Sequence, residues 1–544
     1  MMQPRLAETL PWQGWRMHTR RDDVQDMIAL VAQALASDDT ELLYYGFASG
    51  DGEDSGAELA RELVAVTMDR TQREVVWRFG RCDADPREKS PQAYFSSPVS
   101  TPQSGMKVYP EKSPQAYFSS RLLALQSGMK VCPEFPSLAS QYPGALWIER
   151  EMWEKTGYTP VGHPDLRPIL HPEKFLPDPV ARGSGTFHLP LGPVRADVTE
   201  SGFFLFDTIG EQIMHMQPQL FYKHRDMEKL AVGMTAEDAL LLAERISGTS
   251  TAAHATAFCR AAEQALGYRP SLQNERERML FGEMERLYNH VHDFSQLASA
   301  TGMTVAQAQF ARAKEELLRL NAEVTGSRYL RGAVRLGRSA SVDWERGTER
   351  LTAELPAIDR RVRRFLRLLL HTPTFIDRLR PTGIVEREWA KSYGVVGPVA
   401  RACGLAVDAR SDCLRHLYES TGHACMTAED AFGDALSRFR VRVREWDISL
   451  HIVLELLPSL GTSTLVETEL SQARGKGIGV AESPRGRVCH VLFCDNGKVV
   501  AWGIRAASAW NWPVFGLAAA NGNIQTDFPI IDASFGLSYA GLDR

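Results

Sequence analysis

Cysteine and histidine are the side chains of this sequence best suited to bind metals, and their spacing argues against a metal site. The eight cysteines contain no CxxC pair, and the fourteen histidines contain no HExxH motif. Cys489 and Cys494 are the closest cysteines, but an odd separation in a strand-like run directs the two side chains to opposite faces. We therefore expect free, buried thiols in a reducing cytoplasm.

The composition is that of an ordinary globular protein. The 544 residues are enough for two or more domains. A net charge of −5 gives no general reason to expect nucleic acid or an anionic membrane as partner. No apolar run approaches the roughly 18 residues that would span a bilayer, and no secretory signal is recognisable, so membrane association is expected to come through a partner.

An α+β pattern is predicted for the first part of the chain. The spacing of apolar residues predicts a helix over residues 22–35. Strands are predicted at Glu41–Ala48 and Glu74–Phe79, with a turn and a helical segment between them.

A tandem repeat follows this α+β region. Glu88–Pro110 recurs as Glu111–Pro133, and seventeen of its 23 positions are identical. Two units are too few for a solenoid. The Pro, Ser and Gly content favours an exposed insertion in a loop, with a docking role as the alternative.

Long amphipathic helices dominate the second part of the chain and predict a central bundle. Capping signals are read at Thr235, Thr304 and Thr427. The predicted helices are Ala252–Leu266, Glu275–Ala300, Thr304–Thr325, Trp344–Leu370 and one that follows Thr427 and ends near Leu457. Asp495-Asn496-Gly497 predicts a type I′ hairpin between two strands near the end of the chain.

A basic cluster lies within one of these helices. It consists of Arg360, Arg361, Arg363, Arg364 and Arg367. A solvated or partner-facing surface is the preferred interpretation, ahead of a nucleic-acid site.

Two groups of motifs resemble known families. Phe135–Glu154 and Thr156–Arg167, with the segment Gly162-His163-Pro164-Asp165-Leu166-Arg167, resemble the end of the 30 kDa subunit of respiratory complex I. The segments Thr186–Glu200, Leu220–Leu230, Glu244-Arg245-Ile246, Gly394–Gly404, Ala481–Gly486 and Arg505–Pro513 resemble, in order, the large subunit of [NiFe] hydrogenases and its relative, the 49 kDa subunit of complex I. The closest resemblance is to the fused large subunits of energy-converting hydrogenases of the formate hydrogenlyase and hydrogenase-4 type.

The resemblance implies an α+β fold of two domains. Residues 1–180 would form a 30 kDa-like α/β domain, and a Pro/Gly-rich linker begins near His171. Residues 181–544 would form a hydrogenase-large-subunit-like domain, with the helix bundle at its centre and β-sheets at its periphery.

The metal ligands of the hydrogenase family are missing from the matching positions. Nickel and iron require soft thiolates, which the family supplies as two CxxC pairs. The first pair corresponds to Ser247 and Ser250, and the second to Ser538 and Gly541. A serine hydroxyl is a poor ligand for these metals and glycine has no side chain, so we expect no [NiFe] centre and no cofactor in this chain.

Other residues of the family's cavity have counterparts. Glu200 matches the glutamate that begins the hydrogenase proton path, Arg505 the arginine above the metal pocket, and His254 a histidine common to both branches. Each has a structural alternative as a buried, hydrogen-bonded polar residue. For His254, helix packing is the preferred interpretation; for Glu200 and Arg505 the two interpretations are weighed evenly.

The quinone site of complex I is also incompletely matched. Gly248 stands where that family has a tyrosine, and Arg195 lies near the expected loop histidine. Tyr539 could offer a phenol to the same cavity.

The resemblance implies a peripheral subunit at the cytoplasmic face of the inner membrane. It would join an iron–sulfur small subunit and antiporter-like membrane subunits, and it would take part in electron transfer coupled to ion translocation. A quinone is the candidate electron acceptor. We expect no nucleic-acid partner and no hydrogenase activity. A redox-silent scaffold is the alternative, and an active hydrogenase is the least favoured.

Overall fold

The structure is a computed structural model. It describes residues 16–36, 40–47, 62–69, 74–81, 134–174, 177–195, 200–412, 414–421, 425–461 and 474–544. The tandem repeat at 88–133 lies outside these ranges. Every helix within them is too short or too polar to cross a membrane.

The N-terminal region begins with a four-stranded sheet and one helix. Its elements are β1 (Arg16–Asp23), α1 (Val24–Leu35), β2 (Thr40–Phe47), β3 (Glu62–Asp69) and β4 (Glu74–Arg81). The strand order is β1-β4-β3-β2, with β1 and β4 parallel and the other pairs antiparallel. The helical segment predicted between the strands is wrong, because β3 occupies it. Val64, Ala65 and Val66 are all buried there, as suits an inner strand.

A short α/β segment connects this sheet to the rest of the chain. It contains β5 (Glu134–Pro136), α2 (Leu146–Thr156) and β6 (Thr159–Val161), and β5 pairs with β6 in parallel. Glu149 of α2 accepts hydrogen bonds from the Ser137 hydroxyl at 2.5 Å and the Leu138 amide at 2.7 Å. Burial raises the pKa of Glu149 to about 7, against the effect of these hydrogen bonds.

The predicted linker packs against an antiparallel sheet. That sheet is formed by β7 (Thr186–Leu191), β8 (Phe203–Ile209) and β9 (Gln212–Gln219). Buried Asp207 of β8 accepts hydrogen bonds from the amides of Val180 at 2.8 Å and Ala181 at 3.0 Å. The division at residue 180 stays a prediction.

A helical bundle follows, as the apolar periodicity predicts. Its helices are α3 (Met227–Leu230), α4 (Ala236–Ala243), α5 (Thr251–Ala265), α6 (Leu272–Ala300), α7 (Thr304–Thr325), α8 (Trp344–Leu370), α9 (Pro373–Leu379), α10 (Arg387–Ser392), α11 (Gly397–Ala402), α12 (Arg415–Tyr418) and α13 (Ala435–Leu456). Helix α6 is buried along most of its length and packs against α5, α7 and α13. It is the central element that positions the candidate site.

One of the three predicted helix caps is confirmed. Thr235 accepts a hydrogen bond from the Asp238 amide at 3.2 Å and so caps α4. Thr304 is the first residue of α7 and does not cap it. Helix α13 begins eight residues after Thr427, and its N-cap is Asp434, whose carboxylate accepts from the Ser437 amide at 2.7 Å.

The C-terminal region is a three-stranded sheet and three helices. They are β10 (Gly475–Ser483), β11 (Gly486–Asp495), β12 (Lys498–Arg505), α14 (Ala507–Ala520), α15 (Phe528–Phe535) and α16 (Ala540–Asp543). Strand β10 lies so close to α5 that a Cβ on Gly479 would be 1.8 Å from the Ala257 carbonyl oxygen. Asn496 and Gly497 have φ values of 50° and 73°, which fits the predicted type I′ turn.

Candidate functional site

Two segments far apart in sequence meet through their serine side chains. The Ser247 and Ser538 hydroxyl oxygens lie 2.9 Å apart, within hydrogen-bond distance. The Ser247 hydroxyl also lies 2.9 Å from that of Thr249, and the Gly541 amide donates to the Ser538 hydroxyl at 3.0 Å. We call this arrangement the hydroxyl clasp. It brings together three of the four positions where the family has cysteines.

Helix α6 holds the first segment of the clasp. Asn289 donates to the Thr249 carbonyl at 3.0 Å. Glu285 accepts hydrogen bonds from the amides of Ala252 at 2.7 Å and Ala253 at 3.1 Å, and so satisfies the N-terminus of α5. Burial raises the pKa of Glu285 to about 8, although these hydrogen bonds lower it.

The second segment is held by two elements, α13 and α14. Arg442 of α13 donates to the carbonyls of Ser534 at 2.7 Å and Phe535 at 2.9 Å. The Ser538 amide donates to the Ser508 hydroxyl at 2.8 Å, and this hydroxyl comes from the start of α14.

Arg225 connects the two segments directly. Its guanidinium donates to the carbonyls of Arg245 at 2.9 Å, Ile246 at 2.8 Å and Ala540 at 3.1 Å. Arg225 lies within the matched motif Leu220–Leu230, but sequence reasoning missed its role. The signal that could have found it was a charged side chain inside a matched motif for which no role had been assigned.

The residues of the clasp do not fit a nickel–iron centre. Ser247 and Ser538 bond to each other, and a Cβ on Gly541 would lie only 3.3 Å from the Ser538 hydroxyl and 3.4 Å from the Ala506 Cβ. Hydroxyls are hard donors, whereas nickel and iron sites of this type need soft thiolates. Among the described residues, no group of three or more His, Cys, Asp or Glu side chains could hold a metal ion.

Ser250 and His254 lie at the start of α5. Ser250 is buried at the N-cap position, and its side chain makes no capping hydrogen bond. His254 Nδ1 lies 2.9 Å from His490 Nε2, and Trp502 donates to His490 Nδ1 at 3.1 Å. His490 therefore donates from Nε2 to His254. Burial lowers the pKa of His254 to about 3, so both rings are neutral, which fits the packing role preferred from sequence.

Glu200 lies at the rim of the site. Its carboxylate is 3.7 Å from the Lys223 ammonium and is 36% exposed. The Lys223 amide also donates to the carboxylate of buried Asp543 at 3.3 Å. Burial raises the pKa of Asp543 to about 6, and the negative charge of Glu200 adds to this effect. Sequence reasoning missed Asp543, because the neighbouring residues in the sequence do not predict that its side chain is buried.

Arg505 is engaged by the N-terminal region. Its guanidinium donates to the carbonyl of Tyr45 at 2.7 Å, lies 5.2 Å from the centre of the Tyr44 ring and is 3.7 Å from Glu151. The next residue, Ala506, is the one that faces Gly541. Arg505 thus belongs to a contact between the two regions of the chain.

That contact is a buried cluster of five charges, which we call the interdomain cluster. Its members are Glu151, Lys155, Glu228, Arg505 and Arg544. Lys155 lies 2.9 Å from Glu151 and 2.5 Å from Glu228. Arg544 pairs with Glu151 and lies 3.2 Å from Glu228. Burial would raise the pKa of Glu228, but the charges of Arg544 and Lys155 overcome it and lower the pKa to about 2.

The residues considered for a quinone site are brought together in part. Arg195 donates to the Tyr539 hydroxyl at 3.2 Å and to Asp532 at 2.9 Å. Gly248 is exposed and a Cβ on it would meet no atom within 4 Å, so this side of the clasp opens to the protein surface. The Tyr288 hydroxyl lies 3.4 Å from the Gly248 carbonyl oxygen and supplies a phenol from α6.

Three families match successive parts of the chain. "Respiratory-chain NADH dehydrogenase, 30 Kd subunit" matches residues 114–190, "Nickel-dependent hydrogenase" residues 225–328, and "Respiratory-chain NADH dehydrogenase, 49 Kd subunit" residues 300–464. The chain belongs to the family of large subunits shared by membrane-bound hydrogenases and complex I, with a 30 kDa-like region in front.

Individual relatives agree with this assignment. Formate hydrogenlyase subunit 5 of Escherichia coli K12 is 30% identical over 76% of this chain and 77% of its own length. Hydrogenase-4 component G of the same organism is 29% identical over 76% of each chain. A solved structure of a membrane-bound sulfane sulfur reductase, an archaeal respiratory membrane complex, contains a chain with a TM-score of 0.60 and 22% identity, covering 67% of this chain and 100% of that chain. That likeness concerns the fold alone.

Proposed function

We propose that this protein is the large subunit of a membrane-associated redox complex and takes part in electron transfer coupled to ion translocation without a [NiFe] centre. The observation that carries the proposal is the hydroxyl clasp. The fold brings Ser247 and Ser538 together, but they bond to each other at 2.9 Å through donors unsuited to nickel. The scaffold of the family is thus combined with a site of different chemistry.

The proposed partners follow from the relatives. Formate hydrogenlyase subunit 5 and hydrogenase-4 component G are named as parts of larger assemblies. We assign to this chain an iron–sulfur small subunit as electron donor and antiporter-like membrane subunits as the site of ion movement. The chain would sit as a peripheral subunit at the cytoplasmic face of the inner membrane.

The proposed electron acceptor is an organic molecule of the quinone type. Gly248 is exposed next to the clasp, so a molecule held against this face could reach it from outside the chain. Arg195, Tyr539 and Tyr288 carry N–H and O–H groups of the kind that recognise quinone carbonyls, and a bound quinone would compete for them with their partners in the chain. Reduction of a quinone to a quinol consumes two electrons and two protons, and we assign the delivery of these protons to Glu200, whose side chain is 36% exposed.

Redox titration of the purified complex tests this function. The partner's iron–sulfur cluster is reduced, and its reoxidation by a series of quinones is followed optically in the parent, Glu200→Gln and Glu349→Gln proteins. Glu349 is exposed on α8 and serves as the control. We expect reoxidation in the parent and control and at least a tenfold slower rate in Glu200→Gln, in line with the loss of a positioned proton donor. Quinone-independent hydrogen evolution would contradict the proposal.

A redox-silent scaffold is the second candidate, and the same structure offers a reason for it. Ser247, Ser538 and Arg505 already have hydrogen-bond partners within the chain. If the subunit is a scaffold, the complex assembles normally. The rate at which quinones reoxidise the iron–sulfur cluster is then the same with this subunit as without it.

A further inference from the structure

The arginines of the basic cluster in α8 fall into two sets. Arg361 pairs with Glu316 of α7, and Arg363 lies 2.7 Å from Asp359 and 2.8 Å from Asp447. Among the described residues, no carboxylate lies within 4.0 Å of the other three. These three are Arg360, Arg364 and Arg367.

The unpaired arginines form one line on the outside of the bundle. Together with His371 they follow the spacing i, i+4, i+7, i+11, which places them on one face over about 16 Å of helix. The opposite face is the buried line Leu355, Ile358, Val362, Leu366 and Leu369. We call the outer line, with Leu368, the α8 crest.

Apolar side chains are exposed at the same end of the bundle. Leu368 lies next to Arg367 and is 53% exposed. Helices α7 and α8 run antiparallel, since Arg361 meets Glu316 and Phe365 meets Phe310. Extending that register places Val305, which is 69% exposed, near the C-terminal end of α8.

We propose that the α8 crest binds the headgroup layer of an anionic phospholipid bilayer. Guanidinium groups bind phosphate oxygens through paired hydrogen bonds, and each basic residue near an anionic membrane adds to the attraction. Exposed leucine and valine beside arginine suit the boundary between headgroups and acyl chains. The crest presents three arginines and one exposed leucine along about 16 Å of a single helix, and charge complementarity with anionic phosphates favours a lipid surface as its occupant. The proposal goes beyond the proposed function, where attachment to the membrane comes through partner subunits.

Vesicle sedimentation of the full chain tests this proposal. The probes are phosphatidylcholine vesicles with or without about 30% phosphatidylglycerol, whose charge supplies the attraction. The crest variant is R360Q/R364Q/R367Q. The matched control is R312Q/R319Q/R350Q, which removes the same charge from exposed arginines that are paired with Glu316, Glu315 and Glu323.

We expect the parent and control to bind the anionic vesicles, and the crest variant to bind on the order of a hundredfold more weakly. Binding should disappear at high salt, because exposed charges are screened. Unchanged circular dichroism will establish that the crest variant is folded. Equal binding of parent and crest variant, or equal binding to both vesicle types, would overturn the proposal. If the crest variant instead loses a protein subunit from the purified complex, the crest is a protein interface and the lipid assignment is wrong.

Discussion

Replacing Arg544 by alanine is expected to loosen the contact between the N-terminal region and the site. Arg544 is 1% exposed and bridges Glu151 of α2 to Glu228 of α3. The substitution leaves both carboxylates buried, with only Lys155 and Arg505 to balance them. Removing one partner of a buried ion pair is costly because the other charge stays in a medium that solvates it poorly.

The magnitude follows from the pKa of Glu228. A decrease from the model-compound value of 4.5 to about 2 corresponds to roughly 3 kcal/mol of interaction that favours the ionised form. A carboxyl whose pKa is lowered by folding stabilises the fold above its unfolded pKa and loses this contribution as the pH falls through its folded pKa. Arg544 is the largest of the charges that lower this pKa, and breaking a buried ion pair typically costs roughly 3–5 kcal/mol, so its loss should cost about 3 kcal/mol near neutral pH.

Hydrogen exchange measured by mass spectrometry provides the assay. If the contact opens as a local unit, a loss of about 3 kcal/mol accelerates exchange of the α2 amides by roughly two powers of ten. Arg350→Ala is the matched control, because Arg350 lies in exposed ion pairs with Glu323 and Glu354 and its removal should change exchange little. Equal α2 exchange in the two variants would refute the account of the interdomain cluster.

Three further predictions concern the residues around the clasp. Asp543→Asn should flatten the pH dependence of stability between about pH 4 and 6, because the raised pKa of Asp543 means that the parent loses roughly 3 kcal/mol of stability as this buried group ionises. Unfolding midpoints across that pH range measure the effect, and parallel pH profiles of parent and variant would disprove the prediction. Glu285→Ala should lower the free energy of unfolding in urea by about 2–4 kcal/mol, since two buried amides of α5 lose their acceptor. Glu285→Gln keeps an acceptor oxygen and should cost less than half as much. Equal destabilisation by the two substitutions would be inconsistent with capping by Glu285. Ser538→Ala should lower the free energy of unfolding by about 1–2 kcal/mol in the same assay, because the Ser247 hydroxyl and the Gly541 amide lose a partner. An unchanged free energy of unfolding would mean that the clasp does not stabilise the site.

Local sequence signals predicted the elements whose determinants are local. The apolar line of α8 and the Asn496-Gly497 turn are set by residues close together in the chain, and both are confirmed. Strand β3 was mistaken for a helix because its identity depends on β2 and β4 on either side of it. The start of α13 was misplaced because Thr427 matches a capping pattern, whereas Asp434 makes the hydrogen bond.

The site could be located from sequence only through the order of family motifs. Ser247 and Ser538 are 291 residues apart, and nothing in either segment alone predicts their contact. The pairing of Glu151 with Arg544 spans 393 residues and was missed for the same reason. The family resemblance matched Arg505 to an arginine above the metal pocket, which stays a prediction, and the structure shows that Tyr45 and Glu151 contact this side chain.

Nickel analysis of the purified, assembled complex tests whether this subunit lacks a [NiFe] centre. We expect nickel at background level in the parent complex, unchanged in a Ser247→Ala/Ser538→Ala variant, because the hydroxyl clasp offers no thiolate ligands. One nickel per large subunit, lost on substitution of these serines, would contradict it.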